Sequence, residues 1–193
     1  MTDLNLSEPT QAEPSAVPVI VHSAPRVVLV GMPGSGKSTI GRRVASALNL
    51  PIVDSDLLIE QAVGKPCGEV FAEMGEEAFR ELEAEHVARA LATGGVVSLG
   101  GGAVLNEQTR NLLQRHTVVW IDVTAEEGIR RTLDDDTRPV LAGQDGEDRE
   151  QRYRDLLVER EPFYREVATY RVRTDERPPQ RVVAEILGCI ETE

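Results

Sequence analysis

The residues with the clearest chemical role form a glycine-rich loop that ends in lysine, serine and threonine. Residues 31–39 read GMPGSGKST, which matches the pattern GxxxxGK[ST] and lies between an apolar run and a helical pattern. Glycines let such a loop curl so that its backbone N–H groups point at phosphate oxygens, and the positive end of the following helix adds to the attraction. Lys37 can reach the β- and γ-phosphates, and the Ser38 hydroxyl can ligate Mg²⁺. We predict nucleotide binding by Gly34, Ser35, Gly36, Lys37, Ser38 and Thr39.

Two carboxylates follow the next predicted strand, in Asp54-Ser55-Asp56. The carboxyl ends of strands are where ligands of open α/β sheets bind, and residues two apart in an extended chain point the same way. One carboxylate can hold Mg²⁺ through water, and the other can accept a hydrogen bond from an alcohol. The alternative is a helix N-cap, which accounts for one acid only. Because paired carboxylates repel a phosphate, they favour a hydroxyl acceptor over a nucleoside monophosphate.

Arginines supply the candidate cations. Arg80, Arg138 and Arg160 lie in three separate segments, and each taken singly is more often a solvent-exposed side chain than a ligand. Arginine is nevertheless suited to binding a planar carboxylate through two parallel hydrogen bonds. Three consecutive glycines, residues 100–102, follow the third predicted strand and allow close approach of a ligand to the backbone, although a tight turn would use glycine as well.

These residues need an α/β framework to bring them together. Short β-branched runs alternate with helical patterns, which is typical of a parallel sheet with crossover helices. The predicted strands are Val27–Val30, Pro51–Val53, Val96–Leu99, Thr117–Val123 and Tyr170–Thr174. The predicted helices are Lys37–Leu48, Asp56–Val63, Glu76–Leu91, Glu107–Leu113, Ala125–Leu133, Arg149–Val167 and Pro179–Ile190. A segment rich in Asp, Gly and Glu, about residues 134–149, is interpreted as a lid that carries Arg138, with a solvated loop as the alternative.

Length and composition limit the classes of protein. A chain of 193 residues suits one domain, which we place at residues 25–193 after a disordered extension at 1–24 that is rich in proline and acidic residues. The net charge of −12 argues against a nucleic-acid partner, and no apolar run reaches the roughly 20 residues of a membrane span. Cys67 and Cys189 show no CxxC spacing and are interpreted as free thiols of a cytoplasmic protein. The histidines form no ligand spacing, so we predict no structural metal.

Taken in order, the motifs GMPGSGKST, DSD, GExxFRxxE, LGGGAV, RP and ERxPxYRxVA resemble those of the shikimate kinase family over about residues 26–190. The resemblance implies a P-loop kinase fold of three layers, like that of nucleoside monophosphate kinases. A five-stranded parallel sheet in the order 2-3-1-4-5 would be flanked by helices. It also implies phosphoryl transfer from ATP to the 3-hydroxyl of shikimate, with Mg²⁺ as cofactor, on the route to chorismate and the aromatic amino acids. A monomer is expected.

The resemblance also assigns roles to residues. Asp56, Arg80, Gly101, Gly102 and Arg160 would bind shikimate, with the two arginines on its carboxylate and Asp56 on its ring hydroxyls. Asp54 would bind Mg²⁺ through a water molecule, next to Ser38. Catalysis would rest on Lys37, Asp56 and Arg138, with Arg138 contacting the phosphoryl group. Arg131 and Pro179 would flank the adenine.

Two alternatives remain open. A kinase for another small polyol, such as gluconate, would share the fold and a carboxylate at the acceptor. A catalytically idle nucleotide-dependent regulator would keep the loop alone, although Lys37, Ser38 and Asp54 argue against it, because such a protein has no physical need of an acceptor site.

Overall fold

The protein is built around one five-stranded sheet. The computed structural model describes residues 24–132 and 149–191. The strands are β1 Pro25–Val30, β2 Ile52–Asp54, β3 Gly95–Ser98, β4 Val118–Asp122 and β5 Tyr170–Arg173. They lie in the order β2-β3-β1-β4-β5, and every adjacent pair is parallel. The predicted sheet and strand order are confirmed.

Eight helices are described in the two ranges. They are α1 Lys37–Leu48, α2 Ser55–Val63, α3 Cys67–Met74, α4 Glu76–Leu91, α5 Glu107–Leu113, α6 Ala125–Thr132, α7 Arg149–Val167 and α8 Pro179–Glu191. A single 3₁₀ turn, Ala103–Leu105, follows the glycines after β3. Within the described ranges, no helix is long and apolar enough to cross a bilayer.

Successive side chains of the central strand β1 point to opposite faces of the sheet and take part in two separate hydrophobic cores. Val27 and Leu29 pack on one face with the apolar sides of α1 and α8, whereas Val28 and Val30 pack on the other face with α4, α5 and α7. Side chains of successive strand residues point to opposite faces, so a strand that is apolar throughout is covered on both sides. The protein therefore has three layers, with helices on both faces of the sheet.

A third, small apolar cluster lies away from the sheet. Ile59 of α2, Val70 of α3 and Phe79 of α4 are its buried members, and Cys67, Phe71 and Leu82 pack against them. This cluster holds α2, α3 and α4 together at the carboxyl edge of β2 and β3. It positions one wall of the site described below.

Several predicted boundaries differ from the structure. The strand β2 ends at Asp54, one residue later than predicted, and α2 begins at Ser55. The helix α3 and the 3₁₀ turn were not predicted; α3 has only eight residues between Pro66 and Gly75, so its apolar pattern is short. Residues 1–23 and 133–148 lie outside the described residues. They contain Arg138 and almost all of the predicted extension and lid.

Candidate active site

The phosphate loop connects β1 to α1 and leaves the start of the helix open. Gly36, the residue before α1, has φ of 95°, a left-handed conformation that favours glycine, and no side chain within the described chain caps the helix. Anions bind to helix starts of this kind because the first N–H groups have no partner inside the helix. The Nζ of Lys37 donates to the backbone oxygens of Gly31 (2.7 Å) and Met32 (2.9 Å), so its side chain lies across the loop.

Arg131 and Thr174 support the same loop from the side of β5. Nη1 of Arg131 lies 3.3 Å from the oxygen of Gly34 and 3.2 Å from Oγ1 of Thr174. The Thr174 hydroxyl lies 3.1 Å from the oxygen of Ser35. Arg131 also donates from Nε to Glu127 (2.7 Å), and hydrogen bonds from Arg130 and Arg131 lower the pKa of Glu127 to about 2. Arg131 is thereby fixed against the loop.

One cavity of about 300 Å³ opens beside the loop at the carboxyl edge of the sheet. Its wall combines the loop with residues of α2, α3, α4, α7 and the segment after β3. The lining residues are Pro33, Lys37, Ser38, Asp54, Asp56, Glu60, Cys67, Gly68, Phe71, Phe79, Arg80, Glu83, Ser98, Leu99, Gly100, Gly101, Gly102 and Arg160. Its charged side chains are three cations and four carboxylates, namely Lys37, Arg80 and Arg160 with Asp54, Asp56, Glu60 and Glu83.

The two aspartates line the cavity, but from a backbone conformation that differs from the predicted one. Asp54 is the last residue of β2 and also the N-cap of α2, with Oδ1 accepting from the N–H groups of Asp56 (3.0 Å) and Leu57 (3.4 Å). Asp56 lies in the first helical turn, so the argument from an extended chain was wrong. Capping and a place in the cavity wall are nevertheless compatible, because both capping bonds use the same oxygen of Asp54.

Arg80 and Arg160 approach the cavity from different helices. Arg80 donates from Nη1 to Oε2 of Glu83 (2.6 Å), and Glu83 is almost fully buried. Burial raises the pKa of the Glu83 carboxyl above its ordinary value, and the Arg80 guanidinium opposes that shift. Arg160 is only 2% exposed, whereas Arg165 on the same helix is exposed and pairs with Glu161. Of the two arginines in the motif ERxPxYRxVA, Arg160 is therefore buried and Arg165 lies on the surface.

The glycines after β3 leave room for these charged groups. A Cβ at Gly100 would lie 2.4 Å from Oδ1 of Asp56, and one at Gly102 would lie 2.3 Å from Nη1 of Arg80. A Cβ at Gly101 would lie 3.3 Å from Nη1 of Arg160. Gly100 and Gly102 therefore each face a charged side chain that a larger residue would displace, whereas a Cβ at Gly101 would first meet Cδ of Pro33, 3.0 Å away.

Tyr164 connects this glycine segment to Arg160. Its hydroxyl donates to the oxygen of Gly101 (2.5 Å), and the charge of the nearby Arg160 guanidinium acts on the same hydroxyl. The ring is fully buried and stacks on Trp120 with centroids 6.0 Å apart. Burial raises the pKa of Tyr164 to about 12, so the hydroxyl keeps its proton at neutral pH.

Cys67 forms part of the cavity wall at the start of α3. Its Sγ donates to the oxygen of Asp56 (3.3 Å), and its N–H donates to Oε1 of Glu60 (3.0 Å). Burial, followed by the charge of Asp56, raises the pKa of the thiol to about 12. The thiol thus stays protonated and ties α3 to α2.

The cavity brings together most of the predicted site residues. Its wall contains the predicted Lys37, Ser38, Asp54, Asp56, Arg80, Gly101, Gly102 and Arg160. The predicted Gly34, Ser35, Gly36, Thr39, Arg131 and Pro179 do not line it; the first four belong to the loop and its helix, Arg131 contacts Gly34, and Pro179 begins α8. Sequence reasoning gave no role to Glu83, although it closes the motif GExxFRxxE three residues after Arg80, a spacing that places both on one helix face.

The sequence of this chain is similar to those of known shikimate kinases. The family model described as "Shikimate kinase" matches residues 33–191. The shikimate kinase of Corynebacterium efficiens is 65% identical over 167 residues, with 86% of this chain and 97% of that protein covered, and that of Corynebacterium glutamicum is 62% identical with the same coverage.

Solved structures agree with the sequence comparisons. The shikimate kinase from Acinetobacter baumannii in complex with shikimate matches with a TM-score of 0.80 and 34% identity, covering 89% of this chain and 94% of that one. A gluconokinase from Sinorhizobium meliloti matches with a TM-score of 0.55 and 18% identity, covering 86% and 91%, which is a likeness of fold alone. With a family model matched over most of its length and relatives identical at more than 60% of aligned positions, the chain belongs to the shikimate kinase family.

Proposed function

We propose that this protein transfers the γ-phosphoryl group of ATP to the 3-hydroxyl of shikimate, giving 3-phosphoshikimate and ADP on the route to chorismate and the aromatic amino acids. One observation carries the proposal: a single cavity is lined both by Lys37 and Ser38 of the phosphate loop and by Asp56, Arg80 and Arg160. A donor site and an acceptor site that share one wall place the reacting atoms next to each other, which is a large part of catalysis.

The acceptor side fits a small hydroxylated carboxylate. Arg80 and Arg160 line the cavity, and the buried Nε of each has no hydrogen-bond acceptor among the described residues. A ligand carboxylate can accept from such guanidinium groups through both of its oxygens. Asp56 then accepts a hydrogen bond from a ring hydroxyl, and the backbone of Gly101 and Gly102 lies against the ring.

The reaction itself needs little covalent chemistry from the protein. The 3-hydroxyl oxygen attacks the γ-phosphorus, the bond from that phosphorus to the bridging oxygen breaks, and ADP leaves with the electron pair. Asp56 takes the hydroxyl proton, and Lys37 stabilises the charge on the phosphoryl oxygens. Arg138, outside the described residues, is assigned to the same phosphoryl group on the resemblance to the family alone.

The described residues suit Mg²⁺ bound with ATP rather than a metal held by the protein alone. Ser38 and Asp54 offer oxygen ligands in the cavity wall, and no group of three or more His, Cys, Asp and Glu side chains in the described ranges could hold a metal. Mg²⁺ keeps several waters and binds through one or two protein groups plus substrate phosphates. Ser38 would bind it directly and Asp54 through water, where it would neutralise charge on the β- and γ-phosphates.

On the nucleotide side, the proposal assigns Gly34, Ser35, Gly36, Lys37, Ser38 and Thr39 to the phosphates of ATP, and Arg131 and Pro179 to its adenine. It also places a monomer in the cytoplasm, where ATP is available. Size-exclusion chromatography with light scattering checks the monomer.

An ADP-release assay with four acceptor conditions tests the function. We expect turnover with shikimate and only background with gluconate, with AMP or without acceptor. Turnover with gluconate would favour the polyol-kinase alternative, and release without acceptor dependence would favour a regulator or a plain ATPase. A Lys37→Ala variant, which removes the cation on the phosphates, is the control that the activity belongs to this protein.

A further inference from the structure

The helix α7 contacts both halves of the site through residues on one face. The donor half is the phosphate loop, and the acceptor half is the glycine segment after β3 together with Arg160. Its buried residues include Tyr153, Arg160 and Tyr164, which are separated by seven and four positions. Such spacings return to the same side of an α-helix, and Tyr153 and Tyr164 stand about 16 Å apart along the axis. The two tyrosines therefore lie on one side of the same helix, with Pro162 between them.

Tyr153 contacts the donor half. Its hydroxyl donates to the oxygen of Pro33 in the phosphate loop, with the two oxygens 2.9 Å apart. The ring is 1% exposed and lies directly on the backbone of α6: a Cβ at Gly128 would be 2.0 Å from the hydroxyl oxygen and 2.5 Å from Cζ. Because Gly128 has no side chain, the Tyr153 ring fits against α6. Its hydroxyl can then donate a hydrogen bond to the phosphate loop.

Tyr164 contacts the acceptor half in the same way. Its hydroxyl donates to the oxygen of Gly101, 2.5 Å away, and lies close enough to Arg160 for the guanidinium charge to act on it, so one side chain contacts two parts of the acceptor wall. The stacked Trp120 of β4 holds the ring. Loss of this hydroxyl removes the hydrogen bond to the Gly101 oxygen and the polar neighbour of the Arg160 guanidinium.

We propose that Tyr153 and Tyr164 are positioning residues for opposite substrates: Tyr153 holds the phosphate loop for ATP, and Tyr164 holds the glycine segment and Arg160 for shikimate. The proposal rests on the proposed function. Neither hydroxyl takes part in the chemical step. Because both stand on α7, this helix sets the distance between the donor loop and the acceptor loop.

Phenylalanine substitutions separate the two roles, because they remove only the hydroxyl. We expect Tyr153→Phe to raise the KM for ATP about threefold to tenfold with the KM for shikimate unchanged, and Tyr164→Phe to do the reverse. Tyr170→Phe on β5 is the matched control, since no described hydrogen bond involves its hydroxyl. Gly128→Ala, which pushes the Tyr153 ring aside, should reproduce the ATP-selective change.

Several results would overturn the proposal. Equal changes in both KM values, or a lowered melting temperature with unchanged kinetics, would show that the hydroxyls serve the fold and not the substrates. A Tyr164→Phe protein that unfolds below the assay temperature would count against it for the same reason. The assay of the wild-type protein distinguishes failure of the proposed function from failure of this inference. If the wild type does not phosphorylate shikimate, the proposed function is wrong. If it does, but each tyrosine variant fails to change the KM of its own substrate selectively, only this inference is wrong.

Discussion

Glu83 holds Arg80 in the wall of the acceptor cavity, with Oε2 of the carboxylate 2.6 Å from Nη1 of the guanidinium. The carboxylate is almost fully buried and three residues further along the same helix. An arginine fixed in this way loses less conformational freedom when it binds a ligand than one that is free in solvent. The pair therefore holds in place one of the two arginines of the proposed acceptor site.

Replacing Glu83 by Gln should weaken the acceptor site without affecting the nucleotide. We expect the KM for shikimate to rise about tenfold, because the neutral amide oxygen of glutamine binds Arg80 more weakly than the carboxylate does, and the KM for ATP to stay unchanged. Steady-state kinetics with each substrate varied in turn gives the measurement. Glu81→Gln, at an exposed position of the same helix, is the control. A change in the KM for ATP alone would contradict this role of Glu83.

Arg160→Ala should raise the KM for shikimate about tenfold to a hundredfold, far more than the KM for ATP, because the residue lines the acceptor end of the cavity. The comparison is with Arg165→Ala, five residues further on α7, where the side chain is exposed and pairs with Glu161. That variant should behave like wild type. Equal effects of Arg160→Ala on both substrates would argue against contact with the shikimate carboxylate.

Asp56→Asn should lower kcat by about a hundredfold or more while ATP binding is retained, since the amide cannot take up the hydroxyl proton. Binding of ATP by calorimetry and turnover by ADP release are both needed. Asp155→Asn, at an exposed position of α7, controls for the loss of one negative charge. Wild-type turnover in the Asp56 variant would remove this residue from the mechanism.

Gly102→Ala should act through Arg80. The new Cβ would lie 2.3 Å from Nη1, so the guanidinium must move, and we expect a shikimate KM at least about threefold higher. Gly188→Ala in α8 meets no atom within 4 Å and should be neutral or slightly stabilising, because alanine is the better helix former. An unchanged shikimate KM in Gly102→Ala would mean that the arginine moves without cost.

The raised pKa of Cys67 predicts slow alkylation in the folded protein. The thiolate is the reactive form, and a shift of the pKa from 9.0 to about 12 lowers its fraction at pH 8 by about a thousandfold. Iodoacetamide labelling followed by peptide mass spectrometry should show this difference between native and urea-unfolded protein. Because the pKa of the native thiol is raised, the native rate should still be rising with pH where the rate of the unfolded protein has levelled off. Equal native and unfolded rates at pH 8 would show that Cys67 is not shielded.

Motifs with a fixed local geometry could be predicted from the sequence. The phosphate loop needs a strand before it and a helix after it, and β1 and α1 are found there. The helices α1, α4 and α5 begin and end at the predicted residues. The order of the strands came from the resemblance to a family, because periodicity alone does not specify which strands are neighbours.

Contacts between distant parts of the chain could not be predicted from local patterns. Asp56 was predicted to face the cavity from an extended segment, and it does so from a helical turn instead. Glu83 was overlooked because a buried glutamate looks like a surface glutamate in a helix that has many. The hydroxyl of Tyr153 meets a loop 120 positions earlier in the chain, and no spacing along the sequence indicates such a contact.

The small cluster of Ile59, Val70 and Phe79 also bears on how such enzymes change during evolution. Because α2, α3 and α4 are joined by an apolar core separate from the two that cover the sheet, substitutions there can reshape the acceptor wall while β1, α1 and the ATP side stay intact. New acceptors can arise in this architecture without rebuilding its nucleotide half.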